Sequence, residues 1–193
     1  WSRVFAVRMY TEEFFKAYAP GKVQVISVGA GLDTLYFNLK SEKVADFANV
    51  TYVELDLPSV VKKKARTVNR SKALSALVSN NAQDKIELAE DNSSLLGPDY
   101  KLLSVDLRDE KQITAALERA GIDYKVPTFV FAECVLAYLP AKQSDQAIQF
   151  FSANFEKVYF LNYEMMFLND QFGKMMVKNF KAKGIDLVGI NDY

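Results

Sequence analysis

Four apolar stretches of this 193-residue chain run directly into residues that can hold or orient a ligand. "VQVISVGAG" ends on Gly29 and Gly31, "YVELD" on Glu54 and Asp56, "KLLSVDLR" on Asp106 and Arg108, and "FVFAE" on Glu133. A Gly-x-Gly turn lets a ligand come close to the backbone, because neither glycine carries a Cβ. A nearby carboxylate can accept from ribose hydroxyls, an exocyclic amine or an ammonium, at roughly 1.5–3 kcal/mol per charged hydrogen bond. Glu54 and Asp56 follow the turn at about the interval where nucleotide folds place a ribose acid, and spacing alone leaves both eligible. Asp106 could meet an adenine amino group, with the Leu107 backbone beside the ring, or could simply cap the next helix. Glu133 stands in so apolar a run that it needs a cationic partner, and a ligand ammonium would serve.

Composition removes several other chemistries. The chain has no histidine, which excludes a histidine-based nucleophilic triad or histidine-ligated metal within it. Cys134 is the only cysteine, so no intrachain disulfide forms and a cytoplasmic, reducing setting is expected. With no basic activator adjoining it, Cys134 reads as a small core residue rather than a nucleophile. Lysine plus arginine balances aspartate plus glutamate at 24 each, which argues against a nucleic-acid partner. The apolar runs are too short for a membrane span.

The elements that must position these residues follow from patterning. Runs at 22–28, 50–57, 100–107, 127–136 and 157–164 are short, nearly continuous and rich in β-branched or aromatic residues, as in strands buried on both faces. Helical patterns alternate with them: "PSVVKKKARTVNR" opens with proline, and "DEKQITAALERAG" carries acids in its first turn and Gly121 as a stop. "PAKQSDQAIQFFSANF" is a further helix, with Ile148 and Phe151 turned inward. The alternation predicts a doubly wound α/β fold with a mostly parallel sheet, one domain over residues 1–193. Residues 69–100 are polar and turn-rich and read in part as a surface excursion, with "KIELA" an edge strand. "KKKAR" reads as a solvated helix face, and the "NYEMMFLNDQFGKMM" tail as core and helix packing that could also line an acceptor pocket.

In such sheets ligands sit beyond the carboxyl ends of the strands, where the glycines and acids fall. The dinucleotide fingerprint needs a third glycine, and Thr34 stands there instead. Asp33 would also repel a pyrophosphate at that helix start. A cofactor without phosphates, S-adenosylmethionine, fits these residues better than NAD.

The motifs "SRVFAVR", "ISVGAGLDTLYFNLK", "YVELDLPSVVKKKA", "SVDLRD", "FVFAECVLAYLPAKQS" and "FLNYEMMFLNDQFGKMM", in this order, resemble the leucine carboxyl methyltransferase family. The resemblance implies a class I, Rossmann-like methyltransferase that uses S-adenosylmethionine. It implies that Arg3 holds the cofactor's carboxylate and that Gly29 contacts its methionine part. It selects Asp56 over Glu54 as the ribose acid, assigns Asp106 and Leu107 to adenine, and puts Glu133 near the ammonium. Tyr138 falls where the family's methyl-acceptor pocket begins. The family has further residues before this chain's start, including a cofactor-contacting lysine, and sheet strands after its end. The start at Trp1 and the abrupt "GINDY" end likewise point to a piece truncated at both ends.

A carboxylate acceptor suits a chain without histidine. An α-carboxyl group has a pKa of roughly 3.3–3.7 and is already ionised at neutral pH, so no general base is needed. Arg108 or Arg3 could orient it. Two acceptors compete within the family: the C-terminal leucine of the protein phosphatase 2A catalytic subunit, and a wybutosine-pathway tRNA base. Zero net charge favours the phosphatase, acting with a monomeric enzyme; a non-catalytic binding module is the third reading.

Overall fold

The computed structural model describes residues 2–79 and 86–190. Its centre is β1 (Val23–Val28), flanked by β2 (Val50–Asp56) and by β6 (Thr128–Glu133), both parallel to it. β5 (Tyr100–Ser104) extends the sheet beyond β2, and β7 (Val158–Tyr163) extends it beyond β6, again in parallel. β4 (Ser94–Leu96) and β3 (Glu87–Leu88) complete one edge with antiparallel pairings, giving the order β3-β4-β5-β2-β1-β6-β7. The chain winds outward from β1 to β5 and then returns to β6. The switch in strand order therefore lies between β1 and β6, where a ligand crevice is expected.

Alternation along the strands builds two cores. Val23, Val25, Tyr52, Tyr100, Leu102 and Phe131 face one side, and Ile26, Val28, Val53, Leu55, Leu103 and Val130 the other. α1 (Ser2–Tyr18), α2 (Leu35–Ser41), α3 (Pro58–Arg70) and α4 (Lys72–Val78) cover the first face. α5 (Glu110–Ala120) and α6 (Ala141–Asn154) cover the second. Helices on both faces make the sheet doubly wound, as the alternating pattern predicts.

Local signals explain most boundaries. α3 begins at Pro58, whose missing N–H is no loss at a first helical position. α5 is capped by Asp109, which accepts from the Lys111 and Gln112 amides, and ends at Gly121 with φ of 72°. Asp106 is thus not the cap. The sequence reading assigns no element to residues 2–18, yet α1 buries Val7, Thr11, Phe14 and Phe15 at helical spacing. The surface excursion begins with a helix instead: α4 packs Val78 into the core, with Leu74 and Leu77 partly covered. The edge strand in "KIELA" is β3.

The tail departs from the packed reading. α7 (Gln171–Lys181) buries only Gly173, and Met166, Phe167, Phe172 and Met175 are more than half exposed. Sequence hydrophobicity cannot distinguish a core face from an apolar face left outward. Of "KKKAR", Lys63 and Arg66 are exposed as expected, but Lys64 is 4% exposed because it falls in line with Val61, Ala65 and Val68.

Candidate active site

Register brings the reactive strand ends to one level. Val28 pairs with Leu55 on one side and Ala132 on the other, so Gly29, Asp56 and Glu133, the next residues, share a tier. Asp56 pairs with Ser104, which sets Asp106 just beyond. Gly29, Asp56 and Asp106 open on a cleft of about 370 Å³ whose lining also includes Leu107, Arg108, Cys134 and Tyr138; Glu133 stops short of it, its neighbour Cys134 taking the wall.

The glycine turn forms as it does because of what surrounds it. Gly29 has φ of +65°, and a Cβ there would lie 2.4 Å from Cγ2 of Val135, which crosses above it after β6. Gly31 also has positive φ, +54°, but a Cβ there would meet nothing within 4 Å. The Gly29 amide donates to the Leu55 carbonyl at 2.7 Å, and the Gly31 amide donates to Asp56 Oδ2 at 2.6 Å. Asp56 Oδ1 accepts from the Leu57 amide at 2.6 Å. Each oxygen keeps a further lone pair for a ligand hydroxyl. Asp33 lies at the start of α2 and accepts from the Thr34 amide at 2.7 Å, so a negative charge already occupies that helix start.

Glu54 is separated from this chemistry. It is fully buried and takes Lys64 Nζ at 2.5 Å and the Tyr100 hydroxyl at 2.7 Å. Burial pushes its carboxyl up to about 7, against the opposing pull of Lys64 and Tyr100. The structure therefore gives the two acids of "YVELD" different surroundings: Glu54 lies inside the protein, and Asp56 lines the cleft.

On the other flank, Arg3 from the first turn of α1 forms an ion pair with Glu133, and its Nη1 lies 3.9 Å from Cys134 Sγ. Burial raises the Glu133 carboxyl, Arg3 opposes that shift, and Asp33 adds to it. Cys134 is only partly buried and takes φ of +54°, an uncommon backbone for a residue with a side chain. Burial raises its thiol as well, which keeps it protonated rather than nucleophilic. Arg108 grips Asp106, with Nε at 2.9 Å from Oδ1 and Nη2 at 2.6 Å from Oδ2, and Arg108 holds the Asp106 carboxyl below its ordinary range.

Two residues that position the site, Glu164 and Lys64, lie inside quoted motifs but were given no site role by the sequence. Glu164, just after β7, accepts through Oε1 from the amides of Val135, Leu136 and Ala137 at 2.8, 2.6 and 3.3 Å. It thereby fixes the 3-10 turn Leu136–Tyr138 that presents Tyr138 at 39% exposure. Lys64 donates to the Asp33 carbonyl at 2.7 Å. Its signal was its place in the apolar stripe of α3. A second cleft of about 270 Å³ includes Leu136, Ser144, Glu164, Met165 and Phe167 in its lining, so part of the methionine-rich tail does face a cavity.

The cleft has room and groups for a nucleoside: Gly29 brings its backbone to the wall, and Asp56 keeps acceptors for vicinal hydroxyls. Arg3 and Glu133 pair with each other beside it, and neither they nor Gly31 line it. Among the described residues no helix is long and apolar enough to cross a membrane.

Comparison with known proteins agrees. The family model for leucine carboxyl methyltransferase matches residues 1–152. A leucine carboxyl methyltransferase 1 homolog from Arabidopsis thaliana is 36% identical over 99% of this chain and 55% of its own length. Leucine carboxyl methyltransferase 1 from Bos taurus is 29% identical over 98% of this chain and 56% of its own length. tRNA wybutosine-synthesizing protein 4 from Homo sapiens is 32% identical over 97% of this chain but 26% of its own length. The chain thus spans about half the length of the curated leucine carboxyl methyltransferases it matches. A match running from α1 into α6, through every strand that contributes to the cleft, makes the chain a member of the leucine carboxyl methyltransferase family.

Proposed function

We propose that the chain is a methyltransferase domain that binds S-adenosylmethionine in the β1–β6 cleft and methylates a carboxylate, namely the C-terminal leucine of the protein phosphatase 2A catalytic subunit. The observation that carries the reading is the register that sets Gly29, Asp56 and Glu133 on one tier beside Asp106 and Leu107. When bound, the cofactor supplies an electrophilic methyl group on a sulfonium. Gly29 offers its backbone at the cleft wall to the methionine part, Gly31 has open space where a Cβ would stand, and Asp56 accepts from the ribose hydroxyls. Arg3 holds the carboxylate of its amino-acid end, Glu133 the ammonium, and Asp106 with Leu107 the adenine edge.

The acceptor carboxylate arrives ionised, so the chain needs no base and has no histidine to serve as one. Its task is alignment and exclusion of water, since opposite charges cancel as the methyl moves. Tyr138 borders the cleft and closes on the Phe180 ring, 6.2 Å centroid to centroid. Arg108 is fixed by Asp106 through Nε and Nη2, which leaves its Nη1 edge for an acceptor carboxylate without a tight bidentate grip. That looser contact orients the nucleophile while sparing its reactivity.

The test is intact-mass analysis of the phosphatase catalytic subunit and of wybutosine-precursor tRNA, each incubated with the protein and S-adenosylmethionine. The reading predicts a one-methyl gain on the phosphatase, lost when its terminal leucine is deleted. A gain on tRNA alone would transfer the assignment to the RNA substrate.

A further inference from the structure

We infer that Lys64 is a positioning residue for the glycine turn, holding the far end of residues 29–33 from α3 while β2 holds the near end. The near end is fixed by the Leu55 carbonyl and the Asp56 carboxylate, which take the Gly29 and Gly31 amides. At the far end, Lys64 Nζ donates to the Asp33 carbonyl at 2.7 Å. Asp33 is the last residue before Thr34 and α2, so this bond sets where the turn stops and the helix starts.

Stability does not account for such an arrangement. Lys64 and Glu54 are 4% and 0% exposed, and a buried ion pair is often no more stabilising than apolar side chains of like volume. What an apolar pair could not do is reach a backbone carbonyl in the turn. Glu54 serves that reach: it anchors the ammonium at 2.5 Å and is itself fixed by the Tyr100 hydroxyl at 2.7 Å. Glu54 also lies two residues before Asp56 on the same face of β2. The acid that faces the cleft and the acid that holds the turn are thus built on one strand, and the spacing between glycine turn and Asp56 is tied at both ends.

The inference rests on the reading of the cleft as a cofactor site, and its experiment separates the two. Glu54→Gln combined with Lys64→Met removes both charges of the buried pair together, keeps an acceptor for Tyr100 and takes away the bond to Asp33, so neither partner is left as an unpaired buried charge. In protein without added cofactor, amide hydrogen exchange of the 29–35 peptide is expected to be at least tenfold faster in the double variant than in wild type, with β1 and the C-terminal half of α3 unchanged. Titration with S-adenosylmethionine is expected to weaken about tenfold between the same two proteins, and Lys64→Arg, which keeps both charge and donor, to retain slow exchange. Equal exchange in double variant and wild type, or acceleration spread evenly through α3 and β2, overturns the inference. Should the double variant not fold, Glu54→Leu with Lys64→Met, which fills the same volume with apolar groups, gives the same comparison against wild type. If wild type takes up no S-adenosylmethionine, the proposed function fails, while the exchange data still decide the tether.

Discussion

Replacing Gly29 by alanine adds one methyl group at the tightest point of the turn. Two costs follow, and the structure lets them be separated. The backbone is at φ of +65°, where a non-glycine residue loses roughly 1–2 kcal/mol. The new Cβ also falls 2.4 Å from Cγ2 and 2.7 Å from Cγ1 of Val135, contacts that force a shift worth about 1–3 kcal/mol. Gly31→Ala shares the first penalty, at φ of +54°, but has nothing within 4 Å to collide with. Gly29→Ala should therefore destabilise by about 2–5 kcal/mol and Gly31→Ala by about 1–2 kcal/mol. For a domain of this size that difference separates the melting temperatures by several degrees, since each kcal/mol is worth about 2–4 °C. Urea unfolding of both variants, and of each combined with Val135→Ala, measures the terms directly. Val135→Ala should recover about 1–3 kcal/mol in the Gly29→Ala background and none in Gly31→Ala. Equal destabilisation by the two glycine substitutions, or no rescue by Val135→Ala, would refute the packing argument.

Other consequences are open to the same tools. Glu54 is raised by burial from an ordinary 4.5 to about 7, among Lys64, Tyr100, Tyr52 and Asp33. Because its folded value lies above its unfolded one, the stability it contributes is full below about pH 4.5 and is lost as pH rises through about 7. The unfolding free energy of wild type relative to Glu54→Gln should thus fall by roughly 3 kcal/mol across that window, and a flat difference in a pH series of urea melts would count against it. Glu133→Gln and Arg3→Ala break a pair whose arginine is half exposed and whose glutamate is partly buried, so melting should shift by only a few degrees while S-adenosylmethionine affinity, measured by calorimetry, drops by about 10- to 100-fold. Glu164→Ala orphans three amides of the turn that carries Tyr138 and should cost about 1–3 kcal/mol in urea unfolding, with Glu164→Gln recovering most of it.

Four parallel strands, β1, β2, β5 and β6, were legible because two-sided burial leaves a continuous apolar run that few other elements imitate; β7 gives the same run from its aromatic and β-branched residues, yet none of its residues is fully buried and Tyr159 is exposed. α5 was legible for a different reason: its acidic first turn and Gly121 are direct capping signals. α1 was not, because its buried residues share the helix with exposed Val4, Phe5 and Tyr10, which blur the apolar stripe. α4 was hidden by the polar segment around it. At the site, residue types at strand ends marked where the structure opens a cleft, but could not choose between Glu54 and Asp56. That choice depends on what each acid meets: Lys64 reaches back from α3, the next element, and Tyr100 comes from β5, distant in the chain. Glu164 and Lys64 escaped as positioning residues because each acts through backbone atoms, which leave no trace in side-chain pattern beyond a lysine set in an apolar stripe.

The central claim is that the β1–β6 cleft binds S-adenosylmethionine through Asp56. Calorimetric titration of S-adenosylmethionine and of NAD into wild type and Asp56→Ala tests it most directly. The account predicts saturable one-to-one binding of S-adenosylmethionine by wild type, its loss in Asp56→Ala, and no binding of NAD. Binding of S-adenosylmethionine undiminished in a folded Asp56→Ala protein, or none by wild type, would contradict it.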